Sequence, residues 1–173
     1  MPMRIALVAH DARKSELVEW FKYNLGSILG EGHQLFATGT TSKLLKEAMK
    51  EYILNDYHGN EEHFLARFGV TIDGFINDRI ISLLSGPLGG DQQIGAMIAE
   101  DRIDSLIFFC DNLITQGHQQ DVGALSRLAS LYNIAFATNR TTADMIITSP
   151  LFNSGEYTRI IPTAIESYKN RAL

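Results

Sequence analysis

Residues 4–28 read RIALVAHDARKSELVEWFKYNLGSI, a short apolar run followed by a longer segment with a helical repeat. Within the run at 4–10, residues 5–9 are continuously apolar, as a strand buried on both faces would be. From Lys14 onward the apolar residues recur every three or four positions, which predicts an amphipathic helix that ends at Gly30 and Gly32. A strand followed directly by a helix is a β–α unit.

The same unit recurs along the chain. Further strand-like runs lie at 34–37, 79–84, 105–110 and 134–137, and helical patterns follow them at 41–52, 91–100, 120–132 and around 142–147. Strands that are apolar throughout are typical of a parallel sheet with helices on both faces. We therefore predict an α/β fold, a single-domain open parallel sheet of Rossmann-like type over residues 1–173. Such sheets bind ligands beyond the carboxyl ends of their strands.

Composition is that of one ordinary globular domain, with 173 residues of which 45% are hydrophobic and 20% charged. The net charge of -5 argues against a nucleic-acid surface, because such surfaces neutralise phosphates. Cys110 is the single cysteine, so no internal disulfide can form and a reducing compartment is expected. The first apolar run is shorter than a signal-peptide core, and none approaches the ~18 residues of a membrane span. We expect a cytoplasmic protein without a membrane or nucleic-acid partner.

Residues 51–78 interrupt the repeat and delay the third strand well beyond the usual short connection. The segment is polar and carries His58 and His63 on either side of Glu61 and Glu62. A metal site would need further ligands that this spacing does not supply. We interpret the segment as a solvated helical insertion and predict no metal site.

Polar residues follow the first two strands. After the first come His10 and Asp11, with Lys14 one turn later. Their local pattern is equally compatible with a helix cap at Asp11 and a surface charge at Lys14. After the second strand residues 38–41 read TGTT, where hydroxyl groups and free helix N–H donors suit a phosphate, although a plain capping turn has the same pattern.

After the third strand residues 85–93 read SGPLGGDQQ. Three glycines let the backbone approach a ligand, and Ser85 adds a hydroxyl group. The loop lacks the Gly-Lys-Ser/Thr of a P-loop, the G-x-G-x-x-G of dinucleotide sites and the glycine that precedes the serine of a hydrolase elbow. Asp91 is open to two interpretations, the N-cap of the following helix or a functional carboxylate.

Asp111 follows the fourth strand, and a loop then leads to His118 and Asp121. Loop histidines are usually solvated, but His118 lies between two carboxylates at the predicted ligand edge. Four strand ends thus carry hydroxyl, glycine, carboxylate and imidazole groups. Their coincidence predicts a ligand site more strongly than any one motif does.

These motifs resemble those of the methylglyoxal synthase family over nearly the whole chain. The matching segments are IALVAHD at 5–11, ATGTT at 37–41, LSGPLGGDQQIGA at 84–96, LIFFCD at 106–111, and His118 with Asp121. Members of that family convert dihydroxyacetone phosphate to methylglyoxal and inorganic phosphate in the cytoplasm, as a bypass of glycolysis. They use neither metal nor organic cofactor and are usually homohexamers. The resemblance thus implies a carbon–oxygen lyase for which phosphate is a product and a candidate inhibitor.

The resemblance also implies roles for individual residues. Asp91 would be the catalytic acid/base, His118 would face the carbonyl end of the substrate, and Asp121 would assist. Arg171 would reach the phosphate region across a subunit boundary, against the alternative of a frayed terminus. The residues that would hold the substrate are His10, Lys14, Thr38, Gly39, Thr40, Thr41, Ser85 and Gly86. Asp11 and Asp111 would complete the polar pocket.

The chain departs from the family pattern in two places. Asn112 stands where members usually have proline, and the loop NLITQG at 112–117 has no proline, which predicts a more mobile connection to His118. Residues 51–78 are absent from shorter members. A non-catalytic domain at one end of carbamoyl-phosphate synthetase resembles the same fold and binds phosphorylated effectors, but the combination of Asp91, His118 and Asp121 favours the enzyme. A phosphosugar isomerase is disfavoured because nothing in the chain resembles its barrel.

Overall fold

The computed structural model describes residues 2–113 and 119–171, with only the helical backbone given for 119–121. In this part of the chain one parallel sheet is formed, with the strand order β3-β2-β1-β4-β5. Its strands are β1 (Arg4–Ala9), β2 (Gln34–Thr38), β3 (Ile80–Leu83), β4 (Ser105–Phe109) and β5 (Ala135–Ala137). This is the doubly wound order, in which the chain reverses direction across the sheet between β3 and β4. The predicted α/β fold is confirmed.

Helices cover both faces of the sheet. They are α1 (Lys14–Gly30), α2 (Gly39–Asp56), α3 (Glu61–Phe68), α4 (Ile72–Arg79), α5 (Gly90–Ala99), α6 (Gln119–Leu131), α7 (Arg140–Ile147), α8 (Pro150–Asn153) and α9 (Thr163–Lys169). Short 3-10 turns at Asp11–Arg13 and Gly86–Leu88 precede α1 and α5. Among the described helices none is both long and apolar enough to cross a membrane.

The core consists of two clusters, one on each face of the sheet, because successive side chains of a strand point to opposite faces. Ile5 and Leu7 of β1 belong to the cluster formed with α1, α2 and α7, whereas Ala6 and Val8 pack with α5 and α6. Trp20 of α1 is fully buried, and its indole N–H donates to Asp144 of α7 at 2.8 Å. Each large apolar side chain buried in this way contributes about 1.5–3 kcal/mol.

The segment at 51–78 is helical, as predicted, but it is not simply solvated. It completes α2 and forms α3 and α4. Phe64, Ile72 and Ile76 are buried in the larger core cluster, and the ring of Phe64 also contacts the rings of Phe68 and Phe75. The prediction was wrong on this point because the high polar content of the segment concealed one apolar residue per helical turn.

A second set of contacts lies at the amino end of the sheet. Arg4 forms an ion pair with Asp104 at 2.7 Å, and Arg159 pairs with Asp101 and donates to the carbonyl of Ile103 at 3.1 Å. Burial of Asp104 opposes ionisation, but the hydrogen bonds from Arg4 outweigh it and lower the pKa of that carboxyl. The segment before α9 is therefore held against the amino end of the sheet, which is opposite to the carboxyl ends of the strands.

Candidate active site

A cavity of about 290 Å³ opens at the carboxyl ends of β1, β2 and β3, where Phe108 of β4 completes its wall. Its size suits a small metabolite. The residues predicted after the first three strands all line it, so the structure brings these three strand ends together as the topology requires.

The end of β1 supplies an imidazole and an ammonium group. His10 is 9% exposed and packs edge-on against Phe108. Lys14 lines the cavity with its side chain 22% exposed, paired with Asp11 at 2.5 Å and hydrogen-bonded to the hydroxyl of Thr40. Lys14 is thus held between the starts of α1 and α2, and its position differs from that of a free surface charge.

The end of β2 supplies the N-terminus of α2. Thr38 is the N-cap residue, but its side chain makes no capping hydrogen bond, and Gly39, Thr40 and Thr41 line the cavity. The first N–H groups of a helix have no partner within the helix. With the positive end of the helix dipole and Lys14 beside them, they form a binding surface for an anion.

The end of β3 supplies a tight loop. The carbonyl of Ser85 accepts the N–H groups of Leu88 at 2.9 Å and Gly90 at 3.0 Å, which folds the loop back on itself. A Cβ at Gly39 would lie 2.7 Å from the Cβ of Ser85, so the loops after β2 and β3 touch backbone to backbone. At Gly90 a Cβ would overlap the carbonyl oxygen of Leu84.

Asp91 lies in the first turn of α5 and is 7% exposed within the cavity wall. The N-cap of α5 is Gly89, at a φ of 104°, so the interpretation of Asp91 as the N-cap was wrong. A carboxylate in the first helical turn is stabilised by the helix dipole. Asp91 also approaches Gly86, where an added Cβ would lie 3.0 Å from its Oδ2.

The end of β4 contributes through the backbone. The N–H of Asp111 donates to Nδ1 of His10 at 2.8 Å, and Oδ1 of Asp111 accepts the N–H of Leu113 at 3.1 Å. Asp111 itself is not among the described residues that line the cavity. Burial raises the pKa of the adjacent Cys110 thiol to about 11, so this thiol is neutral at physiological pH and a poor nucleophile.

For three of the predicted residues the structure describes no place in the cavity wall. His118 lies outside the described residues, and Asp121 is described only as helical backbone of α6. Arg171 lies in an exposed turn after α9 and does not line the cavity of its own chain. Within the described part of the chain no group of three or more His, Cys, Asp or Glu side chains could hold a metal ion.

Part of the cavity wall consists of residues that the sequence did not single out. Pro87 lines the cavity, and it lies in the stretch at 85–93 that was noted for its glycines. Its position in that stretch could have predicted that it lines the site. Val8, Ala9 and Phe108 also line it, but an apolar residue at the end of a buried strand looks like any other core residue. The arrangement as a whole places an anion-binding surface and a buried carboxylate around one small cavity.

Comparison with known proteins points in one direction. A family model described as the MGS-like domain matches residues 18–138. The chain is 44% identical to a methylglyoxal synthase of Pseudoalteromonas atlantica over 94% of this chain and 98% of that protein. It is 48% identical to one of Proteus mirabilis over 86% of this chain and 79% of that protein. The crystal structure of methylglyoxal synthase from Elizabethkingia anophelis superposes with a TM-score of 0.70 at 38% identity, covering 93% of this chain and 86% of that one.

Proposed function

The chain belongs to the methylglyoxal synthase family, and from this membership we propose that it converts dihydroxyacetone phosphate to methylglyoxal and inorganic phosphate. One observation supports the proposal above the others. The buried carboxylate of Asp91 shares a cavity with Lys14 and the N-terminus of α2. Asp91 is therefore available as a base at one end of a small phosphate ester. At the other end the phosphate can bind the anion grip, a name we use for the surface formed by Lys14, residues 38–41, Ser85 and Gly86.

The first step is removal of a proton from the hydroxymethyl carbon of the substrate, next to its carbonyl. The carboxylate of Asp91 takes this proton, and the electron pair left behind forms an enediolate. The developing charge on oxygen needs hydrogen-bond donors. The family resemblance gives His118 this role at the carbonyl end, with Asp121 assisting.

The second step is loss of phosphate. The electrons of the enediolate form a new carbon–carbon double bond as the ester C–O bond breaks, and inorganic phosphate leaves with the bonding pair. The enol that remains takes up a proton on its terminal carbon and loses its hydroxyl proton, which gives methylglyoxal. This elimination needs the C–O bond roughly perpendicular to the enediolate plane, and residues 38–41, Lys14, Ser85 and Gly86 would hold the phosphate in that orientation.

The alternative of a non-catalytic effector-binding domain is not favoured, since the similar curated proteins are methylglyoxal synthases at 44–48% identity. Four properties stay predictions: one domain over residues 1–173, a homohexamer, a cytoplasmic location, and catalysis without metal or cofactor. Inorganic phosphate would bind the same grip as the ester and compete with the substrate.

Incubation of the purified protein with dihydroxyacetone phosphate tests the proposal. We expect methylglyoxal and inorganic phosphate in equal amounts, with no loss of activity in the presence of a strong chelator. Phosphate release without methylglyoxal would indicate a phosphatase. Tight binding of phosphorylated ligands without any turnover would support the effector-binding alternative.

Asp91→Asn tests the assignment of the base. General-base catalysis commonly contributes ~10²–10⁴-fold, so the turnover rate should fall by at least that order while the shape of the side chain is kept. Gly89 is the N-cap, so the substitution removes no capping residue, and the lost helix-dipole interaction accounts for about 0.3–1 kcal/mol of any change in stability.

The matched control is Asp73→Asn, which changes an exposed aspartate in the first turn of α4. This variant should keep its activity. If the Asp91→Asn protein turns over the substrate within a few-fold of the parent, Asp91 is not the base.

A further inference from the structure

The hydrogen-bond ladder between β1 and β4 ends in an unusual way. The N–H of His10 donates to the carbonyl of Phe109 at 3.2 Å, which continues the parallel pairing one residue past the strands. The next rung of a parallel ladder would join the N–H of Asp111 to the carbonyl of His10. That carbonyl instead accepts the N–H of Arg13 at 2.8 Å, because the chain turns into the 3-10 turn before α1.

The imidazole of His10 replaces the missing carbonyl. Nδ1 accepts the N–H of Asp111 at 2.8 Å, so a buried backbone donor that the turn would otherwise leave unpaired is satisfied. An imidazole nitrogen that accepts a hydrogen bond carries no proton. The remaining proton of the neutral ring must therefore lie on Nε2.

Nε2 is buried and has no hydrogen-bond partner among the described residues, and His10 lines the cavity. A buried N–H donor without a partner costs free energy, so such groups are rare in folded proteins. A ligand oxygen in the cavity would satisfy it. The ring is further fixed by its edge-on contact with Phe108, at 5.0 Å between centroids.

We propose that the end of the β1–β4 ladder fixes His10 as the neutral imidazole protonated at Nε2, with the Asp111 turn as the positioning element. The Nε2–H group is then held ready to donate a hydrogen bond to an anionic oxygen of a ligand in the cavity. The ligand's identity rests on the proposed function, whereas the tautomer does not. A neutral imidazole can donate a hydrogen bond to the ligand without placing a positive charge in the cavity that it shares with Asp91. The proposed role of Asp91 requires its carboxylate to gain and lose a proton.

Nitrogen-15 NMR of the imidazole groups in the full-length protein tests the tautomer directly. In the absence of ligand, His10 should show a protonated Nε2 and an unprotonated Nδ1, and its signals are assigned by their absence from His10→Gln. Addition of inorganic phosphate, or of phosphoglycolohydroxamate as an enediolate mimic, should shift the Nε2 signal. A shift with phosphate alone assigns the donor to the phosphate end, and a shift only with the mimic assigns it to the carbonyl end. A proton on Nδ1, or an Nε2 signal that neither compound moves, would overturn the proposal.

Two pairs of variants test the proposal further, and the first pair separates the roles of the two ring nitrogens of His10. In His10→Asn the side-chain oxygen can still accept the N–H of Asp111, but nothing reaches the position of Nε2. Phosphate or mimic affinity should fall roughly 10- to 100-fold, the effect of one hydrogen bond to a charged group, with little change in melting temperature. His10→Gln places an amide N–H near the Nε2 position and should recover part of that affinity. Equal affinities for the Asn and Gln variants would contradict the assigned donor.

The second pair tests Asp111 as a positioning residue. Asp111→Asn keeps a side-chain oxygen for the N–H of Leu113 and should leave the His10 nitrogen signals as in the parent. Asp111→Ala removes that acceptor and should broaden or divide them. If the Ala variant folds and shows unchanged signals, the turn does not fix the tautomer. Because these readouts need no turnover, the inference can hold in a protein that makes no methylglyoxal.

Discussion

Gly39→Ala tests whether the two loops of the anion grip depend on direct contact between their backbones. The new Cβ would lie 2.7 Å from the Cβ and 2.8 Å from the Cα of Ser85, and Gly39 has a φ of +37°. Carbon atoms pack at about 3.5–4.0 Å, so the loops after β2 and β3 must separate by roughly 1 Å. The positive φ adds about 1–2 kcal/mol for a residue with a Cβ.

Overpacking of this kind costs about 1–3 kcal/mol, so we expect a total loss of roughly 2–5 kcal/mol in the free energy of unfolding. At about 2–4 °C per kcal/mol the melting temperature should fall by at least ~4 °C. A displacement of about 1 Å at the reacting groups costs on the order of 10²-fold in rate, so kcat/KM should fall by that order even well below the melting temperature.

The assay is the initial rate of methylglyoxal formation, with calorimetry on the same samples. Gly123→Ala is the matched control, because Gly123 is an exposed position inside α6 where an added Cβ meets nothing within 4 Å. That change should raise stability by about 0.4–1 kcal/mol. A Gly39→Ala enzyme with the rate and melting temperature of the parent would refute the close approach of the loops.

Two further predictions concern regions away from the cavity. The buried His33 accepts the N–H of Met3 at 3.1 Å, and burial lowers its pKa below the ordinary 6.5. As the pH is lowered from about 7.5 to 5.5, the unfolded chain takes up a proton on His33 more readily than the folded chain does. The melting temperature should therefore decrease more steeply over this range than it does in His33→Gln. Equal slopes for the two proteins would contradict this prediction. Arg171→Ala should weaken phosphate binding several-fold without lowering the melting temperature of an oligomeric protein. A monomeric parent, or an unchanged affinity, would remove Arg171 from the site.

The sheet and its ligand edge were predictable because the signals were local. The apolar runs at 4–10 and 105–110 lack alternation, and this alone predicts central parallel strands. Once the strands are parallel, their carboxyl ends must meet at one edge, which places Lys14 near Thr40 although they are far apart in sequence. The helix boundaries differed mainly at α2, which begins earlier and ends later than its apolar repeat.

Other features depend on contacts that no local pattern records. The burial of Phe64 could not be predicted because the average composition of 51–78 is polar. The capping position of Gly89 depends on a φ of 104°, whereas the sequence pattern left Asp91 open as a possible cap. The hydrogen bond from the N–H of Asp111 to the ring of His10 joins residues just after two different strands, and only the end of the ladder explains it.

Helix α2 begins at the cavity with Gly39 and ends at Asp56, so its 18 residues carry the chain about 27 Å away from the cavity. The exposed residues 58–60 and helices α3 and α4 follow at that distance, and β3 then returns the chain to Ser85. A change of chain length in this region is separated from the cavity by helix α2 on one side and by the hydrogen-bonded strand β3 on the other. The exposed residues 58–60 are consequently a place where evolution can lengthen or shorten the chain, and where a reporter peptide can be inserted, while the end of the sheet that carries the cavity stays unchanged.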